Sequence, residues 1–205
     1  MKPAYMIAVT ALATGLPLAA QAQAVVNTAP VAVQPGDYVV EPYHTRVQFA
    51  VRHMGFSDWY GDFTGISGTL TLDVKAPAKS RVDITIPVAS VSTTNSKLDE
   101  ELRGARWFDA ASYPVIRFTS TKVVPLPKGK ARITGNLTFH GVVRPVVLEA
   151  NFVGSGINPL NKAYTAGFNA TLQLRRSDFG VSAYVPMIGD DIAIRISAAF
   201  ERKMP

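Results

Sequence analysis

The 205 residues carry Lys+Arg 21 against Asp+Glu 15, a formal net charge of +6, and no cysteine. Disulfides, thiolate chemistry and Cys-based zinc sites are thereby excluded, and the positive charge favours anionic partners such as phosphates, lipid head groups or acidic surfaces. Nucleic acid is not expected, because no basic cluster interleaves with aromatics and no recognition-helix pattern is present.

The first 24 residues, MKPAYMIAVTALATGLPLAAQAQA, have the form of an export signal. Lys2 is the charged start, an apolar stretch follows to Ala20, and Ala20-Gln21-Ala22 and Ala22-Gln23-Ala24 offer small-x-small cleavage after Ala22 or Ala24. The apolar stretch is too short and too rich in Ala, Thr and Gly for a membrane anchor. The expectation is a soluble protein exported to the periplasm. Residues 25–36 have neither helical nor strand period and read as a flexible leader, which leaves 37–205 as one domain.

From there the chain is almost entirely of period two. Val47, Phe49 and Val51 alternate with polar neighbours; so do Leu70, Leu72 and Val74; Val82, Ile84 and Ile86; and Ile116 and Phe118. Ile133, Leu137 and Phe139 follow, then Val146, Leu148 and Phe152, then Phe168, Leu172 and Leu174, and last Ile192, Ile194, Ile196 and Phe200. That makes eight segments, each with one apolar and one polar face. Turn-like stretches join them, with one exception. Between Ser96 and Pro114, Leu98, Leu102 and Ala105 recur at helical spacing, with Ser96 placed to cap and Asp99 and Glu100 in the first turn. The pattern predicts an all-β, eight-stranded antiparallel up-and-down barrel, lipocalin-like in form, with one short helix near a rim. A two-sheet sandwich is the competing architecture.

Up-and-down order makes alternate strand ends share a rim. One rim then collects Arg52 to Met54, the helix with Arg103, Arg106 and Trp107, His140, Arg144, and Arg175-Arg176 with the loop after it. The other collects short lysine-bearing turns. The inward parity holds Phe49, Val51, Phe63, Leu72, Ile84, Phe118, Leu137, Phe139, Phe168 and Leu172. An apolar bore with a basic mouth suits a long-chain amphiphile, and His53, Arg103, Arg106, His140 and Arg176 are the candidates to surround its head. Arginine pairs anionic oxygens bidentately. The plainer reading of the same residues is a filled core, solvated rim charges, and His140-Gly141 at a hairpin bend.

Five stretches, EPYHTRVQFAVRHMGFS, LRGARWFDAASYPVIRFTSTKV, ITGNLTFHGVVRPVVLEANF, LRRSDFGVS and GDDIAIRI, resemble in order the segments of the YceI-like family of exported, lipocalin-like, polyisoprenoid-binding proteins. The resemblance runs from about Tyr38 to Glu201. It implies an extended barrel with a helix and a long apolar tunnel, holding an isoprenoid chain whose head in some members is a phosphate or a quinone. No other cofactor is implied.

The expected function is therefore that of an exported binding or carrier protein for a polyisoprenoid or similar lipid, with transient contact with a membrane surface. The sequence allows a homodimer without specifying one. The competing class is a stress-linked structural β-barrel with a filled core. An enzyme is not expected. His44, His53 and His140 lack HxH or HExxH spacing, Ser177-Asp178 stands outside any GxSxG, and Asp99, Glu100 and Glu101 look like a solvated helix start.

Overall fold

The computed structural model describes residues 26–203. The expected signal peptide lies outside them. The strands are β1 (Gly36–His53), β2 (Ser57–Phe63), β3 (Ser67–Leu72), β4 (Arg81–Pro87), β5 (Val115–Leu126), β6 (Lys130–Phe139), β7 (Val142–Ile157), β8 (Tyr164–Arg175) and β9 (Ile188–Arg202), with one α-helix, α1 (Ser96–Arg103). All pairings are antiparallel, and β9 returns to pair with β1. The sheet is closed, which leaves an interior and an exterior rather than two faces and removes most free edges.

Nine strands build an eight-stranded barrel because β2 and β3 are two halves of one staggered strand. β2 pairs with the second half of β1 (Val47 to His53), and β3 pairs with its first half (Gly36 to Val39). The break falls at Thr64-Gly65-Ile66, where Ile66 turns into the core. Beyond the break, only β3 goes on to pair with β4. The outer edge of β2 is met instead at Asp62, which exchanges two backbone hydrogen bonds with Ser92 (2.8 and 2.9 Å). The gap so left at the mouth is where α1 sits.

The helix starts one residue earlier than its sequence suggests. Asn95 rather than Ser96 is the cap, its Oδ1 accepting from the Lys97 and Leu98 amides. Ala105 lies beyond the last turn, and Asp99 is buried, accepting from the Thr93 amide and hydroxyl. The chain then folds Trp107 and Phe108 inward. Phe108 packs on Phe49, Phe63 and Phe139 with ring centroids 5.5–6.3 Å apart, edge-on or tilted. A second aromatic group, Phe152, Phe168 and Phe200, lies lower in the barrel.

Candidate functional site: a cavity through the barrel

Along β8 the inward residues Phe168, Ala170, Leu172 and Leu174 are only half-buried, although they point away from solvent. Inward side chains that remain accessible face empty space, and that space is a cavity of about 1030 Å³ running the length of the barrel. It sits at the upper end of the roughly 300–1,000 Å³ usual for small-molecule sites. All ten candidate bore residues line it: Phe49, Val51, Phe63, Leu72, Ile84, Phe118, Leu137, Phe139, Phe168 and Leu172.

Two glycines explain why so many phenylalanines do not fill the hole. Gly61 stands opposite Phe49 across the β1–β2 ladder, and a Cβ there would meet the Phe49 ring at 2.2 Å. Gly135, diagonal to Phe118 on the β5–β6 ladder, likewise leaves room for the Phe118 ring, which a Cβ there would meet at 2.4 Å. Each ring therefore lies down over a bare stretch of backbone, against the wall instead of across the bore.

The mouth is built from three pieces. The end of the β1–β2 hairpin supplies His53, Met54, Ser57 and Trp59. The α1 region supplies Asn95, Lys97, Leu98, Glu101 and Trp107. The loop between β8 and β9 supplies Arg176, Tyr184 and Met187. The Met54 amide donates to the Met187 carbonyl at 2.8 Å and ties the hairpin to the β8–β9 loop, while within the α1 piece the Trp107 indole N–H donates to Glu101 Oε1 at 3.0 Å.

Of the five rim candidates, only His53 and Arg176 line the cavity. Arg103 lies outside, reaching the Ala89 carbonyl. Arg106 also lies outside the lining; it donates to the Tyr184 hydroxyl at 2.6 Å and stacks over that ring. His140 and Gly141 form the two-residue β6–β7 turn with φ of 50° and 74°, the sign that a tight hairpin of this kind needs. The imidazole packs on Tyr113 and its Nδ1 lies 3.2 Å from the Phe179 carbonyl oxygen. His140 is thus a bend residue and not part of the mouth.

Arg176 lines the cavity but is not a free head-group arm. It is 4 % exposed and donates to four backbone carbonyls, those of Gly189, Val181, Ala183 and Ile188, at 2.8–3.0 Å. Its guanidinium carbon sits 5.3 Å from the Trp107 ring centroid, and burial lowers its pKa from the ordinary arginine value. Among the described residues it has no ion-pair partner within 4.0 Å. It leaves a buried positive charge in the wall of an apolar cavity. Next to it, Asp190 accepts from the Ser177 amide and hydroxyl. Burial works to raise the Asp190 pKa, but those two bonds and the neighbouring Arg175 and Arg176 hold it below the usual carboxylate range.

Sequence reading missed Ser57, Asn95, Lys97, Glu101 and Phe108. Their only signal was position, beside a strand end or a helix already placed over this rim. Among the described residues, no three His, Asp or Glu side chains converge as a metal site would require.

The sequence profile of the YceI-like domain matches residues 38–200, all but the outermost residues of the first and last strands. The chain belongs to the YceI-like family. It is 36 % identical to a UPF0312 protein of Vibrio parahaemolyticus over 194 residues, covering 91 % of this chain and 95 % of that one. The crystal structure of a Campylobacter jejuni YCEI protein superposes with a TM-score of 0.66 at 31 % identity, over 75 % of this chain and 90 % of the other. A domain from Saccharophagus degradans, described as a polyisoprenoid binding domain, shares the fold at a TM-score of 0.63 and 13 % identity, over 83 % of this chain and all of that domain. The family match thus covers the strands that frame the cavity and the helix at its mouth.

Proposed function

We propose that this YceI-like protein is an exported carrier that holds one polyisoprenoid or similar long-chain lipid, tail in the bore and head at the α1 mouth, without covalent chemistry. The observation that carries the reading is the continuous apolar cavity of about 1030 Å³ behind a mouth with few polar groups. Several of those groups are already engaged, Glu101 by Trp107, Asn95 by the helix start and Arg176 by four carbonyls, which suits holding a ligand more than transforming it. The filled-core alternative expected a solid interior; here the interior is hollow. The polyisoprenoid binding attributed to the Saccharophagus degradans domain supports the choice of lipid class.

Each buried CH₂ contributes about 0.8 kcal/mol, so one five-carbon isoprene unit contributes roughly 3–4 kcal/mol gross. The entropy of association costs about 4–15 kcal/mol. A tail of several units outweighs that cost, so the bore supplies affinity and the mouth supplies orientation. His53, Ser57 and Lys97 are the groups left to meet the head, and the buried charge of Arg176 favours a phosphate or quinone over a cationic one. Exposed Met54, Phe56 and Met187 crown the same mouth, and we place the transient membrane contact there.

Organic extraction and mass analysis of the protein purified from the periplasm tests this. The expected result is about one isoprenoid lipid per chain and a mature mass that begins after Ala22 or Ala24. Repeated preparations that yield no lipid would return the protein to the structural class.

A further inference from the structure

The far end of the cavity, opposite α1, is crossed by residues 26–34 of the expected flexible leader, which are here anchored to the barrel. Asn27 and Ser155 exchange backbone hydrogen bonds of 2.8 and 2.9 Å. Pro30–Ala32 make one tight turn. Gln34 is then held at three points. Its amide donates to the Tyr164 hydroxyl (3.1 Å), its carbonyl accepts from the Tyr38 hydroxyl (2.5 Å), and its Oε1 accepts from Arg202 (2.7 Å). Burial first, and Tyr164 second, push the Tyr38 phenol up to about 12 against the pull of Arg202, so this donor keeps its proton at any physiological pH.

Two glycines make room for the segment. A Cβ on Gly129 would come 2.6 Å from the Pro30 ring, and one on Gly154 would come 2.5 Å from Val26. The wall it forms is one chain thick. Val31 is 90 % exposed, whereas Val33, two residues on, is 8 % exposed and packed in the core. Pro30 and Val33 line the same cavity as Phe49 and Leu172.

We propose that Pro30–Gln34 is the floor of the lipid cavity and sets the longest tail it accepts, with Val33 as the stop. This rests on the carrier reading. A tail entering past α1 runs down the bore and ends against Val33. Shorter tails leave apolar wall uncovered, and longer ones must fold back or stay in water. Affinity should therefore climb with each isoprene unit to a threshold and climb no further beyond it.

The test uses the mature chain stripped of lipid and a ladder of all-trans prenyl alcohols (geraniol, farnesol, geranylgeraniol, solanesol) displacing a fluorescent apolar dye. Wild type should show a threshold length. Val33→Trp should move it to a shorter alcohol and weaken the longest accepted one on the order of tenfold. Pro30→Gly with Val33→Gly should move it to a longer alcohol. Because the two variants shift the threshold in opposite directions, general destabilisation cannot imitate the result. A threshold unchanged in both overturns the floor and leaves the carrier standing. Failure of every alcohol to displace the dye from wild type overturns the carrier reading, and the floor with it.

Discussion

Gly61 illustrates how much one missing methyl group decides. With nothing on its Cα, the Phe49 ring lies against the wall, and the bore stays open. In Gly61→Leu the new side chain and the ring compete for the same place. The ring swings into the cavity at an overpacking cost of about 1–3 kcal/mol. The expected outcome is a folded protein with a modestly lower Tm that co-purifies with markedly less lipid. Lipid content equal to wild type would show that the glycine does not hold the bore open. The ten inward positions were legible in sequence because strand parity is a strictly local property. The rim was less legible. Arg176 and His140 lie at strand ends on the expected side, yet one is wrapped by its own loop and the other turns a hairpin. A side chain at a strand end has no parity constraint, so the path of the loop decides where it points.

At the scale of elements, the mouth depends on the β8–β9 loop curling round Arg176. Four carbonyls on residues 181 to 189 share that one guanidinium, and buried carbonyls left without a donor each cost about 1–3 kcal/mol. Arg176→Met keeps an unbranched apolar stem and removes the donors. We expect faster hydrogen exchange from about Gly180 to Gly189 and faster dye release, with β4 to β7 exchanging as in wild type. Exchange unchanged in the loop would mean that the arginine is incidental to its fold. The split of β2 from β3 belongs to this scale as well. The alternation of Leu70, Leu72 and Val74 marks β3 and not β2, whose outer edge has α1 and Ser92 in the place of a strand partner. A helix docked into a barrel wall leaves no mark on the hydropathy of the strand beside it.

Across the whole molecule, the two ends of the barrel differ in kind. The floor end carries the lysine-bearing turns and the anchored segment from Asn27 to Gln34. The mouth end carries Met54, Phe56, Tyr184 and Met187 on two loops bridged by a backbone hydrogen bond. Phe56, at the hairpin tip, is 88 % exposed and does not line the cavity, so its loss should leave lipid binding intact. Lipid-free protein should float with neutral phosphatidylcholine vesicles, and Phe56→Ser should reduce that partition roughly tenfold while keeping the same lipid content on extraction. Vesicle binding equal in the two proteins would move the contact away from this crown.

The order of residues along the chain is enough to set the period of the strands, the composition of the inner wall and the rim to which each turn belongs. These follow from alternation along a single strand and from antiparallel order between consecutive ones. That the wall encloses space, that α1 sits at its mouth and that Val33 lies at its far end emerges only in the folded barrel. Those outcomes depend on residues far apart in the chain meeting after closure: Phe49 with Gly61, Pro30 with Gly129, Gln34 with Tyr164 and Arg202. No local pattern records such meetings, because the chain between the partners can change without altering either one.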